Sequence, residues 1–379
     1  MPRTLLAALC LATPTLAQVA PDRTPEPQAG PKVQIALLLD TSNSMDGLID
    51  QAKAQLWNLV NELVLAEHQG KRPTFEVALI EYGNNRLHAD TGHIRIVTPL
   101  TTDLDLVSQE LFALSTLGGD EFCGQAIQKA ADAFEWSSAP HDLRVIFIAG
   151  NEPFTQGPVD FRSACASAIA RGICVNTIFC GPESEGSSTG WSEGARLADG
   201  SYSFINQDQA VPHIPAPQDD ELAQLGVALN ETYIAFGAHG AEGRERQQRQ
   251  DANAESAAPA AAGQRAVAKA STAYRNSSWD LVDACRENVV NIEDVKEEDL
   301  PEDLRKMTMD ERKAHVAACE EKRGEIAGRI ADLETARKKY IAEKLREMAG
   351  DDQTLGAALV KAVREQASRK GYEFRESLR

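Results

Sequence analysis

Residues 33–40, VQIALLLD, form a nearly continuous apolar run, with Gln34 near its start and an acidic residue at its close. Such a run reads as a strand buried on both faces, as in a parallel sheet. Over 46–67 apolar residues recur at Leu48, Ile49, Leu56, Leu59, Val60 and Leu63, the spacing of one helix face. Strands follow at 75–83 (FEVALIEYG) and 94–100 (IRIVTPL), and Thr102 or Asp103 is placed to cap a helix running to about Leu114. A Gly118-Gly119 turn precedes the helix GQAIQKAADAF, and LRVIFIAG (143–150) is a second near-continuous apolar strand. A helix over 158–171, a strand over 173–181, a short helix near 191–198, the strand SYSFI and a helix from about Asp219 to Leu229 complete the pattern. Strands alternating with helices through short connections predict an α/β layered fold, a doubly wound and mostly parallel sheet.

The pattern changes after about residue 237. The stretch to about 270 is polar and Ala-rich, broken by Pro259 and Gly263, and reads as a partly helical connector. Residues 271–379 offer no convincing strand and read as an α-helical region. Ser277 with Asp280, and Thr308 with Glu311, stand at capping-box spacing. Ile326, Ile330, Leu333, Ile341, Leu345 and Met348 lie along one helical face, but the register drifts after Leu333, which favours ordinary helix packing over a long coiled coil.

The N-terminus changes the expected compartment. One basic residue, the apolar run LLAALCLA and small residues ending at Ala17 fit an export signal over 1–17, too short to span a membrane. Residues 18–31 form a Pro-rich linker, and no later stretch is apolar for long enough to be a membrane span. The expected location is periplasmic or secreted. Removing Cys10 with the signal leaves Cys123, Cys165, Cys174, Cys180, Cys285 and Cys319. An even number in an exported chain predicts at least one disulfide; the alternative is small buried thiols. The formal charge of −18, from 57 acidic against 39 basic residues, speaks against nucleic acid as a partner and suits a protein that attracts cations.

Candidate chemistry starts where the first strand stops. Asp40, Ser42 and Ser44 put three oxygen-bearing side chains at alternate positions before a helix. Either the serines only cap that helix, or the three hold a cation. A buried strand ending in Asp-x-Ser-x-Ser before a long amphipathic helix resembles the von Willebrand factor type A (VWA) domain, and the order of elements agrees from 32 to 236. The resemblance implies a metal-ion-dependent adhesion site at the C-terminal ends of the strands, where open α/β sheets place their ligands. It implies Mg²⁺, or Ca²⁺ or Mn²⁺, and a protein partner whose acidic side chain completes the ion's shell. A small hard ion that keeps open positions suits one carboxylate and two hydroxyls.

The other loops depart from the family's pattern. Where members have the Thr of a Gly-Gly-Thr turn, this chain has Asp120 with Glu121 beside it; where they have an Asp after the fourth strand, it has Gly150, followed by Asn151 and Glu152. The candidate metal set is therefore Asp40, Ser42, Ser44, Asp120 and Glu121. The alternatives are a shifted site, a preference for Ca²⁺, a site closed to a partner's carboxylate, or an empty one. Seven histidines show no paired ligand spacing, and no nucleophile elbow or phosphate loop is present, so the expectation is a binding protein and not an enzyme. A metal-dependent hydrolase is the alternative function, as is a scaffold whose helical region binds partners while the α/β domain is structural.

Overall fold

In β1 (Lys32–Asp40) the alternate residues Val33, Ile35, Leu37 and Leu39 enter the core on one face of a sheet, and Ala36 and Leu38 enter the core on the other. That two-sided burial is why the run from Ile35 to Leu39 is wholly apolar. The computed structural model describes residues 30–206, 214–257, 260–348 and 355–375. The export signal at 1–17 and the linker up to residue 29 lie outside the described residues. From Pro31 onward the chain forms one compact unit.

The first half runs through α1 (Asp46–Leu63), β2 (Ala66–His68), β3 (Thr74–Tyr82), β4 (Ile94–Thr101), α2 (Leu104–Ala113), α3 (Cys123–Ala133), β5 (Leu143–Gly150) and α4 (Phe161–Ala170). It continues with β6 (Cys174–Cys180), α5 (Glu183–Ser188), α6 (Trp191–Leu197), β7 (Tyr202–Ile205) and α7 (Asp219–Asn230). The six-stranded sheet has the order β4-β3-β1-β5-β6-β7, parallel throughout except for β4, which runs against β3. Asp103 caps α2 by accepting a hydrogen bond from the Leu106 N–H at 2.9 Å.

The second half contains α8 (Gly240–Ala257), α9 (Ala261–Lys269), α10 (Leu281–Arg286), α11 (Glu302–Arg305), α12 (Met309–Met348), α13 (Leu355–Arg369) and β8 (Tyr372–Phe374). Here the structure departs from the sequence reading. The expected connector is two helices, and α9 is buried along its length against α1 and α7. Its inward groups include Gln264, Arg265 and Lys269, polar side chains that look like surface in sequence but are satisfied inside. The Asn61 amide donates to Gln264 Oε1 at 2.7 Å, and the Lys269 ammonium donates to Gly226 O, Asn230 Oδ1 and Asp251 Oδ2.

The helical region also returns to the sheet. Helix α13 packs on α1, with Leu355, Leu359 and Val363 buried in the same core as Leu37 and Leu39, and β8 pairs antiparallel with β2. Three-residue strands carry no readable periodicity, which is why β8 was not expected. Thr308 and Glu311 do form the reciprocal capping box, whereas α10 is capped by Asp280, which accepts from the Asp283 N–H at 3.0 Å. On α12, Ile326 and Ile330 pack into a cluster with Leu222 and Tyr233, and Leu333 packs against it. The side chains of Leu345 and Met348 lie outside the described part.

The expected disulfide is absent: no bond joins the six cysteines. Cys123 and Cys165 are buried on one face of the sheet and Cys180 on the other, so the sheet separates Cys180 from them. Cys285 and Cys319 pack beside one cluster without being joined.

Candidate metal site

Asp40 is the last residue of β1, fully buried and in register with Tyr82 at the end of β3. Beyond it the chain turns sharply. The Thr41 N–H reaches Tyr82 O at 2.8 Å, and the Ser42 N–H donates to Asp40 Oδ1 at 2.7 Å. A single 3₁₀ turn, Asn43–Met45, then leads into α1. Neither the residue before that turn, Ser42, nor the residue before α1, Met45, makes a side-chain capping bond. The two serine hydroxyls instead approach one another at 3.4 Å, and the Asn151 amide donates to Ser44 Oγ at 3.0 Å. The hydroxyls are thus held towards the C-terminal edge of the sheet and are not spent on the helix.

The loop before α3 brings the second acid. The Leu117 N–H donates to Thr41 O at 2.9 Å and the Gly118 N–H to Asn43 Oδ1 at 2.8 Å, which fastens this loop to the triplet. The Glu121 N–H donates to Gln156 Oε1 at 2.6 Å, and the Glu121 side chain turns inward, 4% exposed, onto Asp40 and Ser42. Asp120 faces outward and is exposed. Of the two acidic residues proposed for this loop, Glu121 is the one that meets Asp40.

Two glycines make the approach possible. A Cβ on Gly83, which has φ +78°, would lie 2.7 Å from both Asp40 Oδ1 and Glu121 Cγ. A Cβ on Gly150 would lie 2.5 Å from the Tyr82 hydroxyl and 3.1 Å from Asp40 Oδ2. Position 150 therefore lacks room for the family's aspartate, because Tyr82, whose hydroxyl donates to Ala149 O at 2.9 Å, fills the space. Sequence reading missed Tyr82, Gly83 and Gln156. The only signal was the apolar-to-polar change at Tyr82-Gly83, which does not reveal the neighbour across the sheet. Gly150→Ala is expected to cost about 1–3 kcal/mol through overpacking. Tyr82→Phe in the same chain should recover part of the loss; equal melting of Gly150→Ala and wild type would show that the space is not filled.

Burial dominates the electrostatics. It pushes the Asp40 carboxyl up to about 6 despite hydrogen bonds that favour its charged form. It pushes Glu121 up to about 9, with the Asp40 charge as the next cause. Two carboxylates side by side without water cannot both ionise cheaply, and their contact is a hydrogen bond only while one keeps its proton. Asp40 Oδ2 and Glu121 Oε2 are buried with no hydrogen-bond partner among the described residues, as is Asn151 Oδ1. Orphaned buried oxygens of this kind are costly and call for a cation or a proton.

The residues present fit a hard divalent cation. Asp40, Glu121, Ser42 and Ser44 would hold it through oxygen, the donor set that suits Mg²⁺, Mn²⁺ or Ca²⁺. Among the described residues no group of three or more His, Cys, Asp or Glu side chains converges, so a site of the histidine or thiolate type is not built. Beside Asn151, a groove of about 420 Å³ opens at the ends of β5 and β6, lined by Glu152, Pro153, Phe179, Pro182 and Glu185.

The family model for the von Willebrand factor type A domain matches residues 34–207, the sheet and helices that carry this site. Residues 34–207 are a VWA domain. Solved structures similar to the chain include the conserved hypothetical protein BatB from Bacteroides thetaiotaomicron, at 18% identity and TM-score 0.35, over 46% of this chain and 90% of that one. An aerotolerance-related membrane protein from Bacteroides fragilis NCTC 9343, carrying multiple mutations to serines, matches at 19% identity and TM-score 0.32, over 46% and 93%. The SpRpn10 VWA domain matches at 15% identity and TM-score 0.35, over 51% and 95%. No curated protein matches the chain. The VWA domain occupies less than half of the chain, and α8, α9 and α13 pack against its α1. Among the described residues no helix is long and apolar enough to cross a membrane.

Proposed function

We propose that this chain is an exported binding protein whose VWA domain engages a protein partner through a divalent cation held by Asp40, Ser42, Ser44 and Glu121. The observation that carries this reading is the pair of buried, unpartnered carboxylate oxygens, Asp40 Oδ2 and Glu121 Oε2, beside two hydroxyls that cap nothing. The cation, Mg²⁺ or else Ca²⁺ or Mn²⁺, would supply positive charge and open positions for a partner's oxygens at the edge of the sheet. VWA domains commonly mediate protein interactions, and the surplus of acidic residues makes nucleic acid an unsuitable partner. We read the role as binding rather than catalysis, a reading supported by a donor set of hydroxyls and carboxylates of the kind that holds a cation. The apolar run before Ala17 supports export, and N-terminal sequencing of the exported chain is expected to begin at Gln18.

Asp40→Ala is expected to abolish the heat of Mg²⁺ or Mn²⁺ binding in calorimetry while the protein still melts cooperatively. The substitution removes a carboxylate from the centre of the donor set and also removes a buried charge from the fold. An Asp40→Ala protein that binds the ion as tightly as wild type would sink the assignment.

A further inference from the structure

We propose that Glu121 supplies from inside the fold the second carboxylate of this site, so that the position left open to a partner takes a neutral oxygen, from a hydroxyl, an amide carbonyl or water, in place of an acidic side chain. The inference rests on the cation reading above and narrows the partner it admits. Asp40, at the end of β1, and Glu121, in the loop before α3, are at most 4% exposed. Their carboxyls touch one another and both meet the Ser42 hydroxyl, and each keeps one buried oxygen without a hydrogen-bond partner among the described residues. Gly83 lets the two side chains meet where any Cβ would collide with both. Two carboxylates match the charge of one divalent cation. A third, brought by a partner, would approach a site already neutral, with Glu152 close enough to act on both acids and Asp120 exposed on the rim.

At the open side stand Ser44, which is exposed, and Asn151, whose amide already donates to the Ser44 hydroxyl. A neutral donor entering there completes a shell of oxygens without adding charge, and ions of this type readily keep water or carbonyl oxygens. The built-in carboxylate therefore changes the selectivity of the site: it disfavours the acidic side chain that the family resemblance implies.

The test uses Mn²⁺ as probe and the full chain, with affinity read by titration in chloride, acetate and acetamide at equal ionic strength. Wild type should bind Mn²⁺ with an affinity that acetate leaves unchanged. Glu121→Gln should bind at least about tenfold more weakly, since even indirect supports of a metal site are worth that much. Acetate, and not acetamide, should recover part of the loss, and Glu121→Ala, which vacates room for the added carboxylate, should recover more. Thermal melts of the metal-free variants report whether they fold; if neither does, the acetate response of wild type still decides. Acetate that tightens Mn²⁺ binding to wild type would overturn the inference and leave the cation site standing. Wild type that takes up no Mn²⁺ would overturn both.

Discussion

Arg265→Ala is expected to destabilise the folded chain by about 3–5 kcal/mol, the cost of leaving buried charges without their partner. Arg265 is 2% exposed and lies in α9, within the stretch that composition marks as a connector. Its guanidinium is ion-paired with Asp105 of α2 at 2.5 Å and with Asp251 of α8 at 2.9 Å, and donates to the Tyr274 hydroxyl at 3.2 Å. It also lies over the rings of Trp57 of α1, 4.3 Å from the centroid, and of Tyr274. Truncation would strand Asp105, itself buried, with the Tyr274 hydroxyl as its remaining partner at 2.6 Å, and would open a void against Trp57.

Asp251 is less exposed to this loss because the Lys269 ammonium also holds it, at 2.8 Å. The double change Arg265→Met with Asp105→Leu should therefore recover much of the stability, since a buried pair replaced by apolar groups of similar volume is often tolerated. Urea unfolding of wild type, Arg265→Ala and the double variant checks both statements. A single Arg265→Ala that unfolds at the wild-type urea midpoint would mean that α9 does not lock the helical half onto the VWA domain.

Raising the pH is expected to weaken the metal-free fold at this site and to strengthen its hold on a divalent cation. In the unfolded chain both carboxyls titrate near 4. In the folded chain burial holds Asp40 near 6 and Glu121 near 9, so the native state binds more protons than the unfolded one. The stability gained from that proton uptake is fully present below about pH 4, and is lost as the pH rises through the two folded values. In the proposed site a cation would take the place of the proton, so its affinity is expected to rise across the same window. At a concentration one hundred times its dissociation constant it adds about 2.7 kcal/mol.

Mg²⁺ should consequently raise the melting temperature little at about pH 5 and most at about pH 8, because protons compete for the same two carboxylates. Other groups titrate too, so the comparison is with Asp40→Asn/Glu121→Gln, which keeps the shape of the site and removes both ionisations. That variant should show no Mg²⁺ shift at either pH, and without metal should lose less stability than wild type as the pH rises. Equal Mg²⁺ shifts at both pH values in wild type would place the ion somewhere other than on these two acids.

The sequence by itself determined the sheet and the placing of the Asp40–Ser44 turn at its edge. β1 and β5 are legible because both of their faces are buried, which leaves Gln34 and Arg144, each near the start of its strand, as the polar positions within VQIALLL and LRVIFIAG. Asp103 and the Thr308–Glu311 pair are legible because capping is local: donor and acceptor lie within three residues. For the same reason Asp40, Ser42 and Ser44 could be named together, since one tight turn places them. What only the tertiary structure decided depends on neighbours remote in sequence. Glu121 rather than Asp120 meets Asp40 because Gln156, 35 positions further on, holds the Glu121 amide. Gly150 stands where the family has an acid because Tyr82 reaches over from β3 to take that volume. The stretch around Arg265 and Lys269 reads as solvated because hydropathy scores a side chain without its partners. Those partners, Asp105, Asp251, Asn230 and Tyr274, meet it only after the helices have packed, and a buried charge is stable only where such partners surround it.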